Sequence, residues 1–254
     1  MLVRSILFNV LFYLNLLVHM LVAMLTMVLP RRIFMVLVRS WARVSLWLLK
    51  VTCGIKVEWR GLEKLPKGAF IVASKHQSTW ETFALITQIT EPTFILKREL
   101  TWIPLFGWCL WKGGMIPVDR GARAKALPAM VARAKEKLAQ GRQIIIFPEG
   151  TRTAPGAEPH YKSGAGYLYE ACGTICVPVA LNSGLFWPRR ALRRRPGTVV
   201  VEILDPIPPG LSRAECLVRM QAAIEPAAAR LVEEGRRELA AAGYQVPLPA
   251  TSSP

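Results

Sequence analysis

The chain has 254 residues, enough for one sizeable α/β domain with a small appendage. Hydrophobic residues make up 52% of it and the mean hydropathy is +0.29, which is too apolar for an ordinary soluble domain. Lysine and arginine number 33 against 17 aspartates and glutamates, so the formal net charge is +16. So basic a surface suits anionic lipid head groups or an anionic substrate.

Nucleic acid is the competing partner for a basic chain. The sequence has no zinc-finger spacing, RNA-recognition signature or basic heptad region, so we expect no nucleic-acid partner. Its five cysteines are scattered, and they are not spaced with histidines to complete a zinc site. We therefore expect free thiols in a reducing compartment, without a disulfide framework and without a metal.

The first element is a long apolar segment. Residues 5–29 contain no Asp, Glu, Lys or Arg, and this length exceeds the roughly 20 residues that a helix needs to cross a bilayer core. A cleaved signal peptide has a shorter apolar region and ends at small residues, whereas this segment ends in Pro30-Arg31-Arg32. The pattern favours a membrane anchor.

A second apolar stretch covers residues 33–51 and carries Arg39, Arg43 and Lys50 near one helical face. This pattern predicts a helix at the membrane interface, so residues 1–50 form a membrane-anchoring helix pair that either spans the bilayer or dips into one leaflet. An ordinary core helix is the alternative. Basic residues concentrate after the first helix, which predicts that the rest of the chain lies on the cytoplasmic face of the cytoplasmic membrane.

From residue 51 the pattern becomes that of an α/β domain. We expect a mixed, largely parallel central sheet flanked by helices over residues 51–242, and a disordered tail over residues 243–254. The predicted strands cover residues 55–59, 69–73, 93–96, 143–147, 174–179 and 198–204. The predicted helices cover residues 79–89, 122–140, 162–171 and 213–241.

A histidine and a carboxylate lie where the second predicted strand gives way to a helix. His76 stands on the turn and Glu81 in the first helical turn, so the carboxylate can fix the ring tautomer and stabilise the imidazolium. Active sites commonly occupy such loops at strand ends. A purely structural histidine near a helix start is the alternative.

A second polar motif, residues 147–152, directly follows the apolar strand residues 144–146. Its sequence is Phe-Pro-Glu-Gly-Thr-Arg. Gly150 permits a tight turn, while Thr151 and Arg152 offer a hydroxyl and a planar guanidinium suited to phosphate. The alternative is a simple turn with a solvated arginine.

Together these motifs resemble those of the glycerolipid acyltransferase family, which includes lysophosphatidic acid acyltransferases. That family carries a His-x4-Asp block, a block ending in Asp-Arg, a Phe-Pro-Glu-Gly-Thr-Arg block and an apolar block around Val-Pro-Val. All four occur here in order, as His76 to Glu81, residues 114–120, residues 147–152 and residues 177–179. One position departs from the family pattern, because Glu81 stands where Asp is usual.

The resemblance implies a role for each matching position. His76 is similar to the general base and Glu81 to the residue that orients it. The positions that resemble a glycerol-phosphate site are Lys97, Arg120, Glu149, Gly150, Thr151 and Arg152. Pro178 is similar to a residue linked either to acyl-donor binding or to packing beside that site.

The expected reaction is acyl transfer from acyl-CoA or acyl-carrier protein to the sn-2 hydroxyl of lysophosphatidic acid, giving phosphatidic acid without a cofactor. An acyltransferase for another lysolipid, such as a lyso-ornithine lipid, and a non-catalytic basic peripheral membrane protein are the alternatives. The arginine-rich residues 187–196 are either a solvated loop or a contact for anionic lipid or an acidic carrier protein. Membrane phospholipids are therefore also expected partners.

Overall fold

The computed structural model describes residues 1–244, apart from the side chains of Arg123 and Ala124. It opens with two long helices, α1 (Leu2–Leu25) and α2 (Arg31–Cys53). Pro30 caps the start of α2, and Gly54 ends it with a φ of 71°, a conformation that favours glycine. Within residues 1–244, α1 is the one helix long and apolar enough to cross a membrane, with a mean hydropathy of 2.1.

A seven-stranded sheet forms the centre of the fold. Its strands are β1 (Ile55–Arg60), β2 (Ile71–Ser74), β3 (Pro92–Lys97), β4 (Ile116–Val118), β5 (Gln143–Ile146), β6 (Cys176–Leu181) and β7 (Gly197–Ile203). They lie side by side in the order β1-β7-β6-β2-β5-β3-β4. The strands from β6 to β4 in this order are parallel to one another, and β7 is antiparallel to β6. The predicted mixed, largely parallel sheet is confirmed.

Six further helices connect or cover the strands. They are α3 (Trp80–Ala84), α4 (Phe106–Gly113), α5 (Leu127–Ala139), α6 (Ser163–Cys172), α7 (Ser183–Phe186) and α8 (Arg213–Ala241). Short 3-10 segments occur at Leu62–Lys64, Leu85–Thr87, Arg98–Trp102 and Arg120–Ala126. A capping box in which Ser212 and Glu215 exchange hydrogen bonds starts α8.

Side chains from the two faces of the sheet belong to separate apolar cores, because successive strand residues point to opposite faces. On one face, Val72 and Ile145 pack in a cluster that includes residues of α1, α2 and α3. On the other face, Ile71 and Ile144 pack with α5, α6 and the first half of α8. Both faces of the sheet are therefore covered by helices, as expected for a largely parallel sheet.

The N-terminal helices pack directly on the sheet domain. Phe8 and Phe12 of α1 are buried in the same core as Phe83 and Trp187, and the Phe12 and Phe83 ring centroids lie 5.7 Å apart. Burying aromatic side chains of this size is a large apolar contribution to stability. The helix pair is thus attached to the domain through its side chains as well as through the chain.

Several boundaries differ from the sequence-based prediction. The pattern did not predict β4, α4 or α7, which have three, eight and four residues. The helix predicted over residues 79–89 ends as a 3-10 turn, and the one predicted over 122–140 begins as one. Of the predicted tail, residues 245–254 lie outside the described residues, while Tyr244 donates its backbone N–H to Leu239.

Candidate active site

Three of the four sequence motifs meet at one edge of the sheet, together with Lys97. His76 follows β2, Lys97 ends β3, Arg120 follows β4, and residues 150–152 follow β5. These strands are adjacent and parallel, so their carboxyl ends lie along the same edge. Loops at this edge of open α/β sheets commonly form the ligand site.

The predicted pair of His76 and Glu81 is formed. His76 Nδ1 lies 2.8 Å from Glu81 Oε1, and that carboxylate is completely buried. A carboxylate only accepts hydrogen bonds, so Nδ1 of His76 is the donor and the neutral ring carries its lone pair on Nε2. His76 lines a cavity, so its ring is within reach of a molecule bound there.

Glu81 is itself held by the protein. Its Oε1 accepts the backbone N–H groups of Gln77 at 2.6 Å and Ser78 at 2.7 Å, and its Oε2 accepts the Ser183 hydroxyl at 2.8 Å. Glu81 lies in the first turn of α3, where a negative charge is favourable. The longer glutamate side chain therefore fits a position where aspartate is usual in the family.

The imidazole of His76 is also held on its ring face. It stacks on Phe147 with ring centroids 3.9 Å apart and an angle of 16° between the planes. The backbone of the two motif loops is joined directly, because Thr153 N donates to His76 O at 2.8 Å. The loops after β2 and β5 therefore form one unit, with the ring of His76 in a fixed orientation.

The cavity beside His76 has a volume of about 510 Å³, and its wall has a basic part and an apolar part. One part carries the basic side chains of Lys97, Arg120, Arg152 and Arg189, together with Gly150 and Thr151. The rest is mainly apolar and comes from α1, α2, β3 and α4. That wall includes Leu16, Met20, Phe34, Met35, Val38, Leu96, Phe106, Leu110 and Met115.

The basic side chains are held mainly by neutral groups. Arg120 donates to the Gly150 carbonyl, Arg152 donates to the Thr79 hydroxyl at 2.7 Å, and Arg189 donates to the Arg152 carbonyl at 3.0 Å. Lys97 lies 3.3 Å from the carboxylate of Glu99. These contacts orient three guanidinium groups without neutralising them, so this part of the cavity attracts an anion.

Three residues of the predicted site lie outside the cavity lining: Glu81, which contacts His76 from behind the lining, Glu149 and Pro178. Glu149 is buried, and its oxygens accept Lys75 Nζ at 2.8 Å and His76 N at 3.3 Å. We therefore expect no direct contact between Glu149 and a phosphate. Pro178 is buried in the sheet interior, paired with Ala73 of β2, which favours the packing role that the sequence had left open.

The structure also adds residues that the motifs did not indicate. Ser183, from the short helix α7, reaches Glu81, and Arg189 from the arginine-rich loop reaches the cavity. Lys75 is only 3% exposed and directly precedes His76 in the chain. The sequence signal for Lys75 was its position directly after an apolar strand, where a charged side chain is unusual. In the described part of the chain, no three His, Cys, Asp or Glu side chains are grouped to hold a metal ion.

Comparisons with known proteins show the family to which the chain belongs. A family model described as Acyltransferase matches residues 56–182, half of the chain. A 1-acyl-sn-glycerol-3-phosphate acyltransferase of Pseudomonas aeruginosa is 39% identical over 166 residues, covering 65% of each chain. The alpha enzyme of that name from Homo sapiens is 31% identical over 169 residues, covering 65% of this chain and 60% of its own. The matches thus span less than two thirds of these relatives.

A solved structure is similar over nearly the whole chain. It is the 1-acyl-sn-glycerophosphate (LPA) acyltransferase PlsC from Thermotoga maritima, with a TM-score of 0.73 and 24% sequence identity. The match covers 91% of this chain and 96% of that one. At this identity the likeness shows the fold, including the arrangement of sheet and helices described above.

Proposed function

The chain belongs to the acyltransferase family, and from that membership we propose that it esterifies the sn-2 hydroxyl of lysophosphatidic acid to give phosphatidic acid. The observation that carries this proposal is the placement of a histidine base, an unneutralised group of arginines and an apolar wall on a single cavity. Each matches one part of the acceptor or donor: a hydroxyl, a phosphate and an acyl chain. The names of the sequence relatives support the same reaction.

In the proposed mechanism, His76 Nε2 removes the proton of the acceptor hydroxyl while its oxygen attacks the thioester carbonyl carbon of acyl-CoA or acyl-carrier protein. Glu81, hydrogen-bonded to Nδ1 at 2.8 Å, stabilises the imidazolium that forms. The tetrahedral intermediate then breaks its carbon–sulfur bond, and the leaving thiolate takes the proton from His76. General-base assistance of this kind is worth about 10²–10⁴ in rate.

The acceptor phosphate is proposed to bind among Arg120, Arg152 and Arg189, with Lys97 beside them. A guanidinium presents several donors in a plane, which suits the oxygens of a phosphate. Gly150 has a φ of 68°, so its backbone turns in a conformation that other residues adopt at a cost. This turn brings Gly150 and Thr151 to the cavity wall beside the arginines.

Membrane association is the second part of the proposal. Along α1, large apolar side chains such as Val3, Val10, Tyr13 and Leu25 are exposed, which is unfavourable in water and favourable in a bilayer. Because basic residues follow α1, we propose by the positive-inside rule that the catalytic domain lies on the cytoplasmic face. The apolar wall of the cavity would then open close to the lipids that supply its acceptor.

An aromatic surface on and just before α4 supports the same membrane association. Trp102, Trp108 and Trp111 are exposed, and Trp111 is 79% exposed. The end of α4 is fastened to the turn between the N-terminal helices, because Lys112 Nζ donates to the Met27 carbonyl at 2.7 Å. Tryptophan is enriched where membranes meet water, so we propose that this surface contacts the same bilayer.

A comparison of acceptors tests the proposed reaction. The purified chain in mixed micelles would be given acyl-CoA or acyl-carrier protein and one of three acceptors. These are lysophosphatidic acid, 1-acylglycerol, which lacks only the phosphate, and a lyso-ornithine lipid. We expect kcat/KM to fall by at least about 10²-fold without the phosphate, since each charge-assisted hydrogen bond is worth roughly 1.5–3 kcal/mol. Equal use of both acceptors, or preference for a lyso-ornithine lipid, would contradict the assignment.

A further inference from the structure

A buried charged network lies directly behind the histidine and reaches it from the last helix. Lys75 Nζ donates to Glu149 Oε1 at 2.8 Å and to the two carboxylate oxygens of Glu225 at 2.8 and 2.9 Å. The Tyr161 hydroxyl also donates to Glu225, at 2.9 Å. The three protons of the ammonium group are therefore used, as a buried lysine requires.

This network ends on the backbone of the histidine. Glu149 Oε2 accepts the N–H of His76 at 3.3 Å, and Lys75 is the residue immediately before His76. Lys75 N in turn donates to Val179 O of β6 at 2.9 Å, so the lysine is fixed at both its backbone and its side chain. A continuous path of hydrogen bonds therefore runs from Glu225 on α8 to the catalytic loop.

The hydrogen-bonded path depends on the charges of Lys75 and its carboxylate partners. Lys75 is almost fully buried, and a buried ammonium is stable only while carboxylates accompany it. Burial and the neighbouring Glu225 charge raise the pKa of Tyr161, so its hydroxyl stays a donor. Loss of the Glu225 charge would leave Lys75 with Glu149 alone and let both side chains shift.

We propose that Glu225 is a positioning residue for acyl transfer: acting through Lys75 and Glu149, it holds His76 against Glu81 and the cavity. This proposal rests on the proposed function. Glu225 lies beyond residues 56–182, the part of the chain that the family model matches. Helix α8 is in this way a working part of the active site, since misplacement of a reacting group by about 1 Å can cost 10²-fold in rate.

The test uses the full chain with Glu225→Gln, which keeps the size of the side chain and removes its charge. Glu233→Gln is the matched control, because Glu233 lies on the same helix with its side chain 59% exposed. We expect kcat for lysophosphatidic acid to fall about tenfold in Glu225→Gln, while KM for both substrates changes less than about twofold. Equal kcat in the two variants, or a change confined to KM, would overturn the positioning role.

A second measurement separates this proposal from the proposed function. With ¹⁵N-labelled histidine, the chain gives signals from His19, His76 and His160, which a His76→Gln variant assigns. The ring signals of His76 should shift in Glu225→Gln and stay unchanged in Glu233→Gln. Unchanged signals in both variants would overturn the proposal. If the wild-type chain forms no phosphatidic acid, the proposed function fails, and these signals still decide whether Glu225 positions His76.

Discussion

Glu81 receives four hydrogen bonds, and three of them come from residues 76–78. The same carboxylate therefore shapes the loop and orients the imidazole. The longer side chain still contacts the histidine, because Glu81 Oε1 lies 2.8 Å from His76 Nδ1. A substitution that removes the charge of Glu81 but keeps its shape separates its electrostatic role from its structural one.

Glu81→Gln should reduce kcat severely, because the amide keeps the shape but loses the charge that stabilises the imidazolium. Both carboxylate oxygens of Glu81 accept hydrogen bonds, and the NH2 group of glutamine cannot accept any. Glu81→Asp should do less harm, since only reach is lost, although a gap of about 1 Å can cost up to 10²-fold. The expected order of kcat is wild type, Asp, Gln.

Matched kcat measurements on the two variants check this order, with thermal unfolding as the control for folding. Equal kcat values for Gln and Asp would show that the charge of Glu81 has no part in the chemistry.

Sequence spacing predicted the pair of His76 and Glu81 because both residues lie within one turn-and-helix unit. The resemblance supplied Lys97, Arg120 and Arg152, which the parallel strands bring together. Ser183 and Glu225 were out of reach, since they contact the site from 102 and 150 residues away along the chain. Such pairings depend on how helices pack, which no local pattern specifies.

At the level of elements, α1 is attached to the domain through the arginine-rich loop. Arg194 is 4% exposed, donates to Asn9 Oδ1 at 2.7 Å, and lies over the rings of Phe8 and Trp187 at 4.6 and 4.1 Å. Burial lowers the pKa of Arg194 to about 10. At least one arginine of the run over residues 187–196 is therefore neither solvated nor available to lipid.

Arg194→Ala should destabilise the chain by about 2 kcal/mol, because it removes a charged hydrogen bond and leaves Asn9 without it. For a chain of this size that corresponds to a fall in Tm of about 4–8 °C. Arg193→Ala is the control, since Arg193 is exposed and its loss should shift Tm little. Thermal unfolding of both variants in one detergent checks the difference; equal Tm values would mean that Arg194 does not hold α1.

The six predicted strands match six of the observed ones because each has a run of apolar or β-branched residues. The three-residue strand β4 and the four-residue helix α7 are too short to show a period. For α8 the predicted and observed bounds agree, since Ser212 and Glu215 form a capping box before a long periodic segment.

At the level of the whole molecule, the change in composition near residue 51 predicts an anchor followed by a catalytic domain. In the structure α1 and α2, the helices predicted to form that anchor, also supply part of the cavity wall, including Leu16 and Met35. Membrane attachment and acyl-chain binding are therefore proposed to use the same helix pair on different faces. Both proposed tasks are consistent with the high apolar content of the chain.

The rate of phosphatidic acid formation with and without His76 tests the central claim most directly. In vesicles containing lysophosphatidic acid and saturating acyl-CoA, His76→Ala should lower the rate by about 10²–10⁴-fold, with membrane retention and Tm unchanged. His160→Ala, which removes an exposed histidine, should retain the wild-type rate. A His76→Ala rate within about tenfold of wild type would contradict the account, because general-base catalysis would then lie with another group.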